Sequence, residues 1–182
     1  MALVLRIMRK ADYRGAVSDA FTIRAMTSAD LSAVGPLAAA LVAMHHALDP
    51  LRFIYLPDPG KGYAAYLGSE LHNPRVVLLV AERASDRAVV GYTYGRLEGR
   101  DYNALLDAAG KLEDVFVDAA VRGRGVGELL IRELLRRLAE KGAPRVVLMT
   151  ATTNEAAQRL FARFGFRATM LEMTRESDEA PT

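Results

Sequence analysis

Apolar positions along the chain change period several times, and each change marks an element. Phe21–Met26 is a short apolar run that reads as a strand. Thr27-Ser28-Ala29-Asp30 supplies capping residues, and Leu31, Val34, Leu37, Leu41 and Met44 follow at spacings of three and four, so the pattern predicts a helix. Pro36 inside it predicts a kink or a later start. Leu56-Pro57-Asp58-Pro59-Gly60 is a loop by composition. Lys61–Leu71 predicts a second helix with Tyr63, Tyr66 and Leu67 on one side, where core packing is the plain reading. Arg75–Glu82 is a continuous apolar run, the pattern of a central strand. Ala84–Arg87 is a turn and Ala88–Leu97 the partner strand, so the two make a hairpin. In that strand Gly91, Thr93 and Gly95 alternate with Tyr92, Tyr94 and Arg96. A face of small residues leaves room for a ligand or a neighbour, or marks a twist or bulge. Gly99–Gly110 is longer than a tight hairpin turn, has room for a short helix, and is the kind of insertion that borders a site.

The richest stretch is Leu112 to Ala139. Leu112–Val117 is a short strand pattern rich in β-branched and aromatic residues. Arg122-Gly123-Arg124-Gly125-Val126-Gly127 is too glycine-rich for a helix interior. From Val126, Leu129, Leu130, Leu134 and Leu138 recur at helical spacing as far as Lys141, and Gly142 and Pro144 end the helix. A strand, a glycine turn and a helix in that order build an anion site. The glycines let successive backbone N–H groups point at a phosphate, and the helix N-terminus adds partial positive charge. No Lys-Ser or Lys-Thr follows, so this is not a P-loop, and the spacing G-x-G-x-G is not that of a dinucleotide turn. The bland alternative is a flexible turn without a ligand.

Arg145–Thr150 predicts a further strand, and Thr152-Thr153-Asn154 caps a helix over Glu155–Phe164 that stops at Gly165. Phe166–Arg175 alternates and predicts a final strand. The pattern therefore predicts a mixed α/β domain over residues 21–176. Met1–Ala20, without a clear period, is an extension of uncertain order, and Ser177–Thr182 is a polar tail expected to be disordered.

Composition narrows the function classes. With 182 residues, 51% hydrophobic and 25% charged, a single globular domain is expected. The net charge of +2 comes without a basic tract, so nucleic acid is not implied. The absence of cysteine excludes a disulfide framework, thiolate metal sites and a cysteine nucleophile. His45-His46 would point about 100° apart on a helix and do not make a bidentate metal site, so no metal is expected; helix-end histidines or a substrate-facing position are the two readings. No run reaches the roughly 18 uninterrupted apolar residues of a membrane span, and Met1–Met8 has the wrong order of charge for a signal peptide. The expectation is a cytoplasmic protein without membrane contact.

The pattern R-x-x-G-x-G at Arg122, Gly125 and Gly127, after a strand, resembles the coenzyme A pyrophosphate loop of the GNAT superfamily of N-acetyltransferases. Asn154, Ala157, Leu160 and Gly165-Phe166 resemble that family's second signature, in the right order. The resemblance covers roughly Phe21 to Arg175. It implies a mostly antiparallel central sheet flanked by helices, and acetyl transfer from acetyl-CoA, as cosubstrate, to an amine of a small cationic molecule or of a protein. It also implies a possible homodimer.

Residue by residue, the resemblance assigns the coenzyme to Val115, Phe116 and Val117 through their backbone and to Arg122, Gly123, Arg124, Gly125, Val126 and Gly127 at the phosphates. Asn154 would make a further contact through its amide. A strand N–H would polarise the thioester carbonyl. An ammonium with pKa about 10 must lose a proton before it attacks, and a carboxylate can attract it and accept that proton. Glu113 and Asp114 are the candidates. Adjacent strand residues face opposite ways, so at most one is expected in a given pocket. Leu-Glu-Asp-Val-Phe-Val resembles the polyamine acetyltransferase branch, which implies Glu113 as base and Asp114 as a second attraction. The family's usual proton donor for the leaving thiolate is a tyrosine at the position of Phe161, and phenylalanine cannot donate. Water, Tyr92 or Tyr94 are the substitutes. Phe161 also supports the alternative of a coenzyme A-binding sensor or degenerate module without efficient turnover.

Overall fold

A computed structural model of the chain describes residues 20–176. The extension expected over residues 1–20, Ala20 apart, and the tail Ser177–Thr182 lie outside the described residues. One five-stranded sheet runs in the order β1 (Phe21–Ala25), β2 (Val76–Arg83), β3 (Val89–Glu98), β4 (Ala109–Val117), β5 (Val146–Leu148). The first three pairings are antiparallel and the last, β4 with β5, is parallel. The mixed, mostly antiparallel sheet is the one expected.

Two layers of helix cover the sheet. On one face lie α1 (Leu31–Leu48) and α2 (Pro59–Glu70). Val34, Leu37, Ala38 and Leu41 of α1 and Leu67 of α2 pack there with Leu78, Val80, Tyr92, Tyr94 and Phe116. Before α1, the Asp30 carboxylate accepts from the Thr27 N–H and hydroxyl, both at 2.8 Å, as the capping residues predicted. Pro36 sits inside α1 and does not delay its start. Ser28–Leu48 is long and apolar enough, by composition alone, to cross a membrane. Its Val34, Leu37 and Leu41, however, are packed on the sheet as in a core helix.

The other face carries α3 (Val126–Glu140) and α4 (Glu155–Arg163). Val126, Leu130, Ile131, Leu134 and Leu138 pack with Val77, Leu79, Ala81, Val90 and Leu112, and with Phe161 and Phe164 at the α4 end. Both faces of β2 are thus buried, which accounts for its unbroken apolar run. The small face of β3 is explained by a neighbour: a Cβ on Gly91 would lie 2.8 Å from the Phe116 carbonyl oxygen and 3.3 Å from Leu130, and one on Gly95 would lie 2.9 Å from Leu134. Helix α3 sits directly on those glycines.

Two expectations are corrected. Gly99–Gly110 holds no helix; β3 ends just before it and β4 begins within it at Ala109, and Asp101 and Leu106 exchange backbone hydrogen bonds of 2.8 and 2.9 Å across a turn. Asp101 Oδ1 accepts from the N–H groups of Asn103 and Ala104, which closes that turn instead of starting a helix. Nor does Phe166–Arg175 form a strand. Alternation makes a strand only where the segment pairs with an edge; this one joins neither edge strand, β1 nor β5, and leaves Met170, Leu171 and Met173 exposed.

Candidate active site

Strand β4 is held on one side along its whole length and on the other over only part of it. It pairs with β3 from Ala109 to Val117, but with β5 only at Gly110, Lys111 and Leu112. Beyond Leu112 the two parallel strands part. Among the described residues, the outer edge of β4 from Glu113 to Val117 therefore has no strand partner, and an extended ligand could pair with it. Val115, Phe116 and Val117, expected at the coenzyme, lie on this edge.

The edge leads straight into the glycine turn. Asp118 Oδ1 accepts from the Ala120 N–H at 2.8 Å and fixes a single 3-10 turn, Ala119–Val121. Gly123 and Gly125 then take left-handed conformations, with φ of 74° and 79°. Gly125 is the N-cap of α3, and the first helical bond runs from the Leu129 N–H to the Gly125 carbonyl at 3.1 Å. The N–H groups ahead of that bond need outside acceptors. Those of Val126 and Gly127 belong to the segment from Gly123 to Gly127 that was assigned to the phosphates, and that of Glu128 follows it. The two arginines are placed by aromatic rings: Arg122 Nε donates to the Val117 carbonyl at 3.0 Å with its guanidinium 5.1 Å from the Phe116 ring centre, and Arg124 lies 5.3 Å from that of Phe21. Asn154 caps α4, its Oδ1 accepting from the Ala157 N–H at 3.2 Å, so its amide N–H₂ is the part left to donate to a ligand.

The carboxylates depart from strict alternation. Tyr94 lies opposite Asp114 and Gly95 opposite Leu112, so Glu113 is the extra residue of a β-bulge. The bulge resets the faces: Leu112 packs on the α3 side and Phe116 on the α1–α2 side. Strict alternation therefore does not hold across this pair; burial raises the Tyr63 phenol of α2 most, and the charges of Asp114 and, less, Glu113 add to the rise.

Their surroundings differ. Glu113 is half-buried, 3.1 Å from Lys111 Nζ. Asp114 is 8% exposed. The Tyr92 hydroxyl donates to its Oδ2 at 3.4 Å, and the Tyr63 hydroxyl interacts with the same group. Burial outweighs these donors and pushes the Asp114 carboxyl up to about 6, with the charge of Glu113 adding to the rise. Burial likewise pushes the phenols of Tyr63, Tyr92 and Tyr94 above their ordinary range. Tyr92 and Tyr94, the suggested substitute acids, are both buried, the first bonded to Asp114 and the second sharing its hydroxyl with Tyr66 at 3.0 Å and Arg96 at 3.3 Å. Phe161 is buried in α4 with its ring edge-on to Phe166. His45 stacks on Phe53 and His46 Nδ1 lies 2.9 Å from the Phe53 carbonyl, so both are engaged locally at the end of α1. A groove between α1 and α2, about 430 Å³, includes none of these groups.

Sequence reasoning took Tyr63 for core packing and passed over Lys111 and the charge of Arg96. Nothing local marks Tyr63, since its partner is on another element. The alternation of Arg96 with Tyr94 was a usable signal, because it puts both side chains on one face.

The profile described as the acetyltransferase (GNAT) family matches residues 42–166. A phosphinothricin N-acetyltransferase from Streptomyces coelicolor is 37% identical over 50% of this chain and 51% of its own length. A mycothiol acetyltransferase from a Nocardioides species is 28% identical over 63% of this chain and 42% of its own. The chain thus spans about half, or less, of the curated relatives it matches. Among solved structures, a Bacillus halodurans protein crystallised as a tetramutant superposes with a TM-score of 0.74 at 18% identity, covering 86% of this chain and 99% of that one. At that identity the likeness concerns the fold.

Proposed function

The chain belongs to the acetyltransferase (GNAT) family, and from that premise we propose that it transfers acetyl from acetyl-CoA to a primary amine by direct attack. The observation that carries this reading is the open edge of β4 leading, through the single 3-10 turn Ala119–Val121, into the Gly123–Gly127 turn and the α3 N-terminus, with Glu113 and Asp114 on that strand. The coenzyme supplies an activated thioester. The edge at Val115, Phe116 and Val117 offers backbone groups to its extended arm, and the turn offers N–H donors to its two phosphates, with Arg122 and Arg124 adding charge.

The amine arrives as an ammonium. Glu113, nearer solvent and already facing one cation in Lys111, attracts it. Asp114 accepts its proton, being the carboxylate whose burial has raised its proton affinity. The roles are thus the reverse of those the resemblance to the polyamine branch implied. The nitrogen bonds to the acetyl carbon, the carbon–sulfur bond breaks, the thiolate leaves, and the second proton of the nitrogen passes to that thiolate or to water, which leaves the neutral amide. A coenzyme thiol with pKa about 8–9 needs no strong acid to depart.

A second reading, a coenzyme A-binding module without efficient turnover, is favoured by Phe161, which provides no donor at the family's usual position. Thiol release from acetyl-CoA against polyamines, aminoglycosides, amino acids and lysine peptides separates the two. Turnover with one amine class, reduced in Asp114→Asn, is the expected result. Tight acetyl-CoA binding with no acetylated amine would support the second reading instead.

A further inference from the structure

At the foot of the open edge the sheet carries two cations among three carboxylates: Arg96 beside Glu98, and Lys111 beside Glu113, which Asp114 follows. Arg96 of β3 lies opposite Lys111 of β4, and Lys111 itself pairs with Val147 of β5 one residue before the strands part. Arg96 is on the same face as Tyr94, to whose hydroxyl its Nη1 donates at 3.3 Å. Its Nε lies 2.9 Å from Glu98 Oε1 but off the hydrogen-bonding direction, so that this buried N–H finds no acceptor among the described residues. Lys111 Nζ meets Glu113 at 3.1 Å. Tyr66, bonded to Tyr94 and 44% exposed, brings a hydroxyl from α2 to the same place.

Such an arrangement discriminates by charge. An acceptor that is cationic throughout would offer neither Arg96 nor Lys111 an anionic partner, and each would keep only the carboxylate already beside it, Glu98 or Glu113. An acceptor with one ammonium and one nearby anion fits both halves: the ammonium takes the place of Lys111 on Glu113, and the anion takes the place of Glu113 on Lys111. Arg96, an incompletely satisfied guanidinium, gains the planar acceptor that its fork suits.

We propose that the acceptor is a primary amine bearing a carboxylate a few bonds away, in the class of the amino acids, and that Arg96 and Lys111 bind that carboxylate. This rests on the reading that Glu113 and Asp114 receive the amine. It narrows that reading away from the polyamine-like acceptor.

The test compares matched acceptors with and without the anion: L-methionine against 3-(methylthio)propylamine, and L-phenylalanine against phenethylamine. In the wild-type chain kcat/KM should favour the carboxylate-bearing member at least about tenfold. In Arg96→Met and Lys111→Met that ratio should fall by about 10–100-fold, the range expected when a charged hydrogen bond is lost, and Lys111→Arg should restore most of it. A purely structural role would lower both members alike and leave the ratio unchanged, which would overturn the proposal. So would equal use of the two members by the wild type. Binding of the product N-acetyl-L-methionine to coenzyme A-loaded protein reads the same site without turnover. If no amine is acetylated, the reading of function fails, and the anion site is judged on this binding alone. Affinity weakened tenfold by Arg96→Met upholds the site; no binding, or binding indifferent to Arg96, overturns it.

Discussion

Tyr92 donates its hydroxyl to Asp114 Oδ2 across 3.4 Å, and the two side chains sit buried on the face of the sheet covered by α1 and α2. The bond is long for a hydroxyl and a carboxylate, so it offsets little of the burial, and Asp114 titrates at about 6. If Asp114 is the proton acceptor, it works only when ionised. Acetyl transfer should therefore rise with pH through about 6 and level off above it, and Asp114→Asn should lower kcat by about 10²–10⁴-fold while acetyl-CoA still binds. A pH profile of kcat/KM for both proteins checks this. A wild-type profile with no inflection near 6, or an Asn variant with full activity, would count against Asp114 as the base.

The same burial has a consequence for stability whose sign is opposite to the usual carboxylate. A folded pKa raised above the unfolded value of 3.8 means that the native state holds its proton more tightly. Stability contributed by this group is present below pH about 4 and is lost as pH rises towards about 6. The loss is on the order of 2–3 kcal/mol. Asp114→Asn carries no such charge, so its stability relative to the wild type should improve between pH 4 and pH 7.5. Urea midpoints at the two pH values measure it, and a difference independent of pH would contradict the burial argument.

Gly95 lies beneath α3, and a Cβ there would sit 2.9 Å from Leu134 Cδ1 and 3.0 Å from the Lys111 carbonyl. One of these contacts is with backbone and cannot yield cheaply. Gly95→Ala should cost about 1–3 kcal/mol, read as a lower denaturant midpoint. Acetyl-CoA affinity should be unchanged in the remaining folded protein, because the clash is with the middle of α3 at Leu134 and the paired part of β4 at Lys111, not with the open edge or the Gly123–Gly127 turn.

What could be read from the sequence was whatever depends on neighbours along the chain. The order of elements, the small face of β3 and the glycine turn ahead of Val126 are all local patterns, and each has its counterpart in the structure. What could not be read depends on pairing. The bulge at Glu113 is a property of the β3–β4 register, and no residue type announces it. Tyr63 reaches Asp114 from another element, so its hydroxyl looked like ordinary core. Alternation over Phe166–Arg175 suggested a strand, yet alternation says nothing about whether an edge is within reach. The bulge matters most, because the alternation that was expected to send Glu113 and Asp114 to opposite faces does not hold across it.

Phe161 stands where the resemblance places a proton donor, and the structure gives its ring another task. It is 7% exposed and packs edge-on to Phe166, with ring centres 5.9 Å apart. Replacing it by leucine keeps the site apolar but loses the aromatic contact, worth about 0.5–1.5 kcal/mol. Phe161→Leu should lower the melting temperature by several degrees and leave kcat within about threefold. A large fall in kcat at a temperature where the variant is fully folded would show that the ring takes part in the chemistry.

Gly123 separates strain from space. Its φ is 74°, and nothing lies within 4 Å of where a Cβ would be. Alanine would therefore meet no clash, only the cost of about 1–2 kcal/mol that an L-residue incurs in the left-handed region. Relaxing that strain turns the peptide plane, and with it the N–H groups that the proposed reading assigns to the phosphates. Gly123→Ala should weaken acetyl-CoA about tenfold in KM and lower the melting temperature by a few degrees. S-acetylpantetheine, which has the thioester but no pyrophosphate, is the control: its KM should be unaffected. If both donors weaken together, the turn serves the thioester end or the fold as a whole, and the assignment of the phosphates to Gly123–Gly127 is wrong.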